Sequence, residues 1–154
     1  MSAAACIFCR IIRGEIPSFK LLETEKIFAF LDIQPLSKGH CVLPPPSLYT
    51  PKANTTPPPQ LVIPKTHGER LHNVPDDELA ELLPAAKKLA LATGAVDYNI
   101  LQNNGKIAHQ VVGHVHVHMI PKPNEKEGLT VGWPAKETDM DALKALHENI
   151  KAKM

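Results

Sequence analysis

The chain has 154 residues, enough for one compact domain to bury a sizeable core without disulfide staples. Seventeen Lys and Arg nearly balance sixteen Asp and Glu, a formal net charge of +1, so composition points to neither nucleic acid nor an anionic membrane as a partner. The start, MSAAACIFCRIIRGEIP, is not built like a secretion signal, no apolar run approaches the ~20 residues that span a bilayer, and three cysteines suit reduced thiols or a metal site. These features predict a cytoplasmic protein with access to the nucleus.

In chain order, residues 6–13 read as a short turn or helix stopped by Gly14 and Pro17. Residues 19–23 and 27–32 read as a strand pair around Glu25-Lys26. Gly39-His40-Cys41 opens another extended segment, and Leu61-Val62-Ile63 continues it in pattern. Between them, residues 42–60 (VLPPPSLYTPKANTTPPPQ) carry seven prolines in nineteen positions, so this insertion is expected to form an exposed loop and add little to a sheet interior. Joining Cys41 directly to Leu61 gives GHCLVIPKTHGERL, a clean strand followed by a turn. A valine codon begins GT, a glutamine codon can end AG, and Ala53-Asn54 can be encoded as GCTAAC, in the manner of a branch site. Translated intron sequence is therefore one reading of the segment, and a surface loop particular to this chain is the other.

Further on, Leu79, Leu82, Leu83, Ala86, Leu89 and Ala90 recur at helical spacing over residues 76–93. Asp76, Asp77 and Glu78 suit the positive end of that helix, Gly94 suits its stop, and Pro84 predicts a kink. Residues 98–102 and 111–120 read as strands, and about 139–153 as a closing helix. The pattern predicts a single α+β domain over 1–154 with an antiparallel sheet.

The stretch His114-Val115-His116-Val117-His118-Met119-Ile120 carries the most chemistry. In an extended chain alternate side chains share a face, so three imidazoles line up ~6.6 Å apart while Val115, Val117 and Met119 face the core. Such a row can bind a metal, relay protons or attack phosphorus. Asn103-Asn104-Gly105 and Gln110, just upstream, suit an anion-binding turn. Cys6-Ile7-Phe8-Cys9 is a CxxC pair, which in an intracellular chain points to metal or redox chemistry, and two thiolates need two further ligands to close a zinc site.

Taken together, the histidine row, the NNG turn with Gln110, and the runs CIFCRIIRGEIPS, FAFLDIQPLSKGH and LVIPKTHGERL resemble the histidine-triad (HIT) hydrolases, in particular the Hint-like nucleoside phosphoramidase branch. The resemblance spans Cys6 to about Trp133 apart from the proline-rich segment. It implies a HIT-like fold and a homodimer, in which the stretch around Trp133 reaches toward the partner's site. It also implies hydrolysis of purine nucleoside 5′-phosphoramidates, or related nucleotidyl conjugates, to the nucleoside monophosphate. His116 would be the nucleophile, His118 would contact the phosphate or leaving group, and His40 would be a supporting histidine. Asn103 and Gln110 would hold phosphate oxygens and Asp32 the ribose hydroxyls. Ile7, Phe8, Ile11, Phe30, Leu31 and Ile33 would wall the purine slot. The resemblance also completes a structural zinc site with His67 and His114 beside Cys6 and Cys9. One departure is Val111, where the family commonly carries Ser or Thr. Two alternatives stay open: a nucleotide-binding interaction module with little turnover, and a dinucleoside polyphosphate hydrolase.

Overall fold

The computed structural model describes residues 2–32, 59–132, 134 and 137–154. Five strands form one antiparallel sheet: β1 (Lys20–Glu23), β2 (Ile27–Leu31), β3 (Gln60–Pro64), β4 (Tyr98–Gln102) and β5 (Val117–Pro121), in the order β1-β2-β3-β5-β4. Three α-helices accompany it: α1 (Ile7–Ile12), α2 (Asp76–Thr93) and α3 (Met140–Lys151). Among the described residues no helix is long and apolar enough to cross a membrane.

Both faces of the sheet are covered, so its central strands are apolar on both sides rather than alternating. Ile27, Ala29, Val62, Val117 and Met119 pack with Leu82, Ala85, Ala86, Leu89 and Ala90 of α2. Phe28, Phe30, Leu61 and Ile63 pack on the other face with Cys6, Phe8, Cys9 and Ile11 of the α1 region. The second face carries the histidines: His118 stands opposite Leu61 and Leu101 in the sheet register.

Helix α2 has the predicted bounds. Its first turn is acidic, and Gly94 closes it in the left-handed conformation (φ 69°), returning its N–H to the Leu91 carbonyl. The helix runs through Pro84 uninterrupted. Pro84 and Ala80 are both exposed, so the carbonyl that loses its N–H partner to the proline is left to water. Asp139 caps α3 by accepting the N–H groups of Asp141 and Ala142.

Two expectations need correction. The last strand begins at Val117, not at residue 111. Ahead of it, Val115 donates its N–H to the Gly68 carbonyl (2.7 Å) instead of joining the ladder, and a Cβ on Gly68 would overlap Val74. The proline-rich segment also does not stop short of the sheet. Pro59 is buried, and Gln60 is the first residue of β3, 1% exposed between Leu31 and Met119. The apolar run Leu61-Val62-Ile63 sets the register, and Gln60 is carried inside with it. Residues 33–58, which include most of the insertion together with Ile33, His40 and Cys41, lie outside the described residues, as does Trp133.

Candidate functional site

Helix α1 brings its two cysteines to one side: Cys6 caps the helix and Cys9 lies one turn on, both buried. His67 follows β3 and His114 precedes β5, and their ring nitrogens meet the thiols. Cys6 Sγ and Cys9 Sγ each lie 3.5 Å from His114 Nδ1, Cys9 Sγ lies 3.4 Å from His67 Nδ1, and the two Nδ1 atoms are 3.3 Å apart. All four ligand atoms lie within 4.8 Å of one another, a group that could hold a metal ion. His114 donates Nε2–H to the Pro64 carbonyl (2.9 Å), which leaves Nδ1 with its lone pair toward the thiols. Burial and the neighbouring Cys6 push the Cys9 thiol up to about 11. Such a thiol stays protonated near neutrality unless a cation takes the proton's place.

Immediately along the chain, His116 is 5% exposed and donates Nδ1–H to the carbonyl of His114 at 2.6 Å. That bond fixes the tautomer and leaves the Nε2 lone pair free. Phe8 packs edge-on against His116 with ring centroids 5.3 Å apart, and His118 stands 5.0 Å away on the other side. Burial holds the His116 imidazole below its ordinary pKa, while the His114 carbonyl and the charge of Asp32 work against that shift. Burial, and then the like charge of His116, take His118 down to about 4. Both rings are therefore neutral near pH 7. Among the described residues His118 Nδ1 is buried without a hydrogen-bond partner.

The turn ahead of the triad is tied to the segment after β3. Gly105 takes φ 91° and His109 φ 65°, backbone that glycine tolerates and histidine rarely adopts. Gln110 Oε1 accepts the Gly105 N–H at 2.6 Å, and Gln110 Nε2 donates to the Glu69 carbonyl at 2.7 Å and toward the His114 carbonyl at 3.5 Å. Both ends of this amide are thus engaged by the protein's own backbone. Asn104, the middle residue of the turn expected to bind an anion, instead accepts the Leu71 N–H (3.0 Å) and donates to Gln102.

The structure brings Cys6, Cys9, His67, His114, His116, His118 and Gln110 into one neighbourhood, with Asp32 close enough for its charge to act on His116. Phe8, Ile11 and Phe30 are buried in the packing of that face, Leu31 and Asp32 are half-buried, and Ile7 is 46% exposed. Asn103 is half-buried beside the turn, and Val111 is 90% exposed. His72, His109 and His147 are exposed.

The profile of the HIT domain family matches residues 13–60 and 55–125. The chain belongs to the HIT family. It is 54% identical to the adenosine 5′-monophosphoramidase HNT1 of Saccharomyces cerevisiae, over 98% of this chain and 84% of that one. A histidine triad nucleotide-binding protein from Candida albicans superposes with a TM-score of 0.81 at 49% identity, over 97% of this chain and 96% of that one. A Zn-bound histidine triad family protein from Mycobacterium smegmatis superposes with a TM-score of 0.64 at 27% identity, over 99% of this chain and all of that one.

Proposed function

We propose that this chain hydrolyses purine nucleoside 5′-phosphoramidates, of the adenosine 5′-monophosphoramidate type, to the nucleoside monophosphate and an amine. The observation that carries the reading is the His116 Nδ1–H bond to the His114 carbonyl, which presents a neutral imidazole with Nε2 free to attack. In the first displacement Nε2 bonds to the α-phosphorus and the P–N bond breaks, with the leaving nitrogen taking a proton. In the second, water attacks phosphorus and gives its proton to the now neutral His118, the P–Nε2 bond breaks, and the monophosphate leaves with the free ring restored. An anionic phosphate beside His118 offsets the burial that keeps this ring neutral, so in the complex it can carry the proton delivered to the leaving nitrogen. Asp32, at the edge of the same face, suits the ribose hydroxyls as a bidentate acceptor.

The cysteine–histidine cluster fits a structural zinc ion. Tetrahedral zinc with Zn–S ~2.3 Å and Zn–N ~2.0 Å has edges of ~3.3 Å between nitrogens and ~3.5 Å between nitrogen and sulfur. The corresponding separations here are 3.3 Å, and 3.4 and 3.5 Å. Bound zinc would neutralise the thiolates and fasten α1 to the segment that precedes β5. Among the described residues β4 forms one edge of the sheet, with Tyr98 and Ile100 partly exposed, and this supports pairing of two copies into a homodimer.

The test is release of AMP from adenosine 5′-phosphoramidate. The His116→Ala variant is expected to lose at least ~1,000-fold in kcat while still binding AMP. Acid-quenched reactions with labelled substrate should trap the label on His116. The exposed Val111, which carries no hydroxyl beside the turn, favours a second reading: a nucleotide-binding module. Tight AMP binding with no turnover by the unaltered chain would establish it.

A further inference from the structure

We infer that residues 42–60 are absent from the working form of this protein, removed from its message before translation, and that this form seats Cys41 and His40 in the sheet positions now held by Gln60 and Pro59. The two described residues of the segment differ in kind from the strand they enter. Gln60 lies between Leu31 and Met119 on the face packed against α2, 1% exposed, a long polar side chain on a face whose other strand positions are aliphatic. Pro59 stands one step further along the same pairing, opposite Asp32, whose N–H it accepts at 2.9 Å. In an antiparallel ladder such a pair exchanges two bonds, and proline has no N–H to return. The cost is the one returned bond at the head of β3, the middle strand of the five described.

Removing the nineteen residues changes nothing from Leu61 onward, because the strand's register is set by Leu61-Val62-Ile63 against β2 and β5. Cys41 then meets Leu31 and Met119 with a small, weakly polar side chain of the kind cores accept. His40, unlike proline, has an N–H to offer at the position opposite Asp32. Position 59 shares a face with Leu61, Phe30 and His118, so this exchange also adds an imidazole to the triad face beside Asp32. Two further observations agree. The segment's first and last residues are compatible with GT and AG ends. The family profile matches as two stretches that overlap within it, at residues 55–60.

A tryptic digest of the protein from its native cells decides the matter. The shorter form yields a single junction peptide, GHCLVIPK, running from Gly39 through Cys41 and Leu61 to Lys65; the longer form yields GHCVLPPPSLYTPK and ANTTPPPQLVIPK instead. Detection of the junction peptide is expected, and finding only the two longer peptides overturns the inference. Side by side, the recombinant chain lacking residues 42–60 should unfold at higher urea and show kcat/KM for adenosine 5′-phosphoramidate raised ~10-fold or more. An equal or lower urea midpoint for the shorter chain overturns the packing argument. The activity comparison rests on the hydrolase reading, whereas the peptide and the unfolding midpoint do not. Absence of turnover in both chains therefore sinks that reading alone.

Discussion

At the residue scale, the site is governed by which nitrogen of each histidine holds its proton. His114 and His116 each give one N–H to a main-chain carbonyl, those of Pro64 and His114, and keep the other nitrogen for chemistry. Gln110 supports this arrangement by joining the Gly105 amide to the Glu69 carbonyl, with a longer reach to the His114 carbonyl. Gln110→Ala should lower kcat by roughly 10- to 100-fold with a smaller change in KM, since the loop loses its brace. Gln110→Glu should fall between the two, because one oxygen can still accept the Gly105 N–H. A kcat–KM comparison of the two variants checks this. Burial also sets the acid response. His118 binds a proton near 6.5 when unfolded but only at about 4 when folded, so the unfolded chain takes up more protons between those values. Folding stability should be greatest above pH ~6.5 and fall as the pH drops toward 4, and the lowered values of His114 and His116 act in the same direction. Urea midpoints at pH 7.5 and pH 5 test this, with His118→Asn expected to narrow the gap. The alternation of the triad was readable from the sequence because period-two spacing is local. The engagement of Gln110 was not, since its partners Glu69 and Gly105 are brought to it only by folding.

At the element scale, α2 and α1 do different work. Helix α2 is held along its length by aliphatic packing, with Leu82 3% exposed against the sheet, and near its start by Thr66 donating to Glu78 and Thr24 donating to Glu81. Leu82→Ala should cost ~2–5 kcal/mol, read from urea unfolding at constant m-value. Helix α1 has only six residues, too few to persist on its own. Its tie to the rest of the site is the cysteine–histidine cluster together with Phe8. Cys6→Ser with Cys9→Ser should abolish stoichiometric zinc in protein purified without added metal and lower the melting temperature. Zinc retained at one equivalent in that double variant would reject the assignment. The bounds of α2 and β4 were legible because their signals lie within the segment: apolar spacing, an acidic start and a closing glycine for α2. The start of β5 was not, because H-V-H-V-H reads the same inside a ladder and ahead of one. Only the distant Gly68 carbonyl distinguishes the two.

At the scale of the whole molecule, the sheet of the described residues ends in a strand that invites another. β4 lies at the border opposite β1, and Tyr98 and Ile100 on it are partly exposed. Ile100→Lys should shift sedimentation from dimer to monomer, and an unaltered chain that sediments as a monomer at micromolar concentration would end the pairing proposal. The antiparallel α+β plan followed from the order of apolar runs. Strand order did not, because β3 and β5 become neighbours across more than fifty residues of intervening chain.

The bond that orients the nucleophile ends on a peptide oxygen, not on a side chain. Every amino acid supplies that oxygen, so no exchange of residue 114 can delete the acceptor, although many would cost the metal a ligand. The protonation pattern of residue 116 is thereby insulated from genetic drift at the neighbour it leans on. It is exposed only to changes that move the main chain.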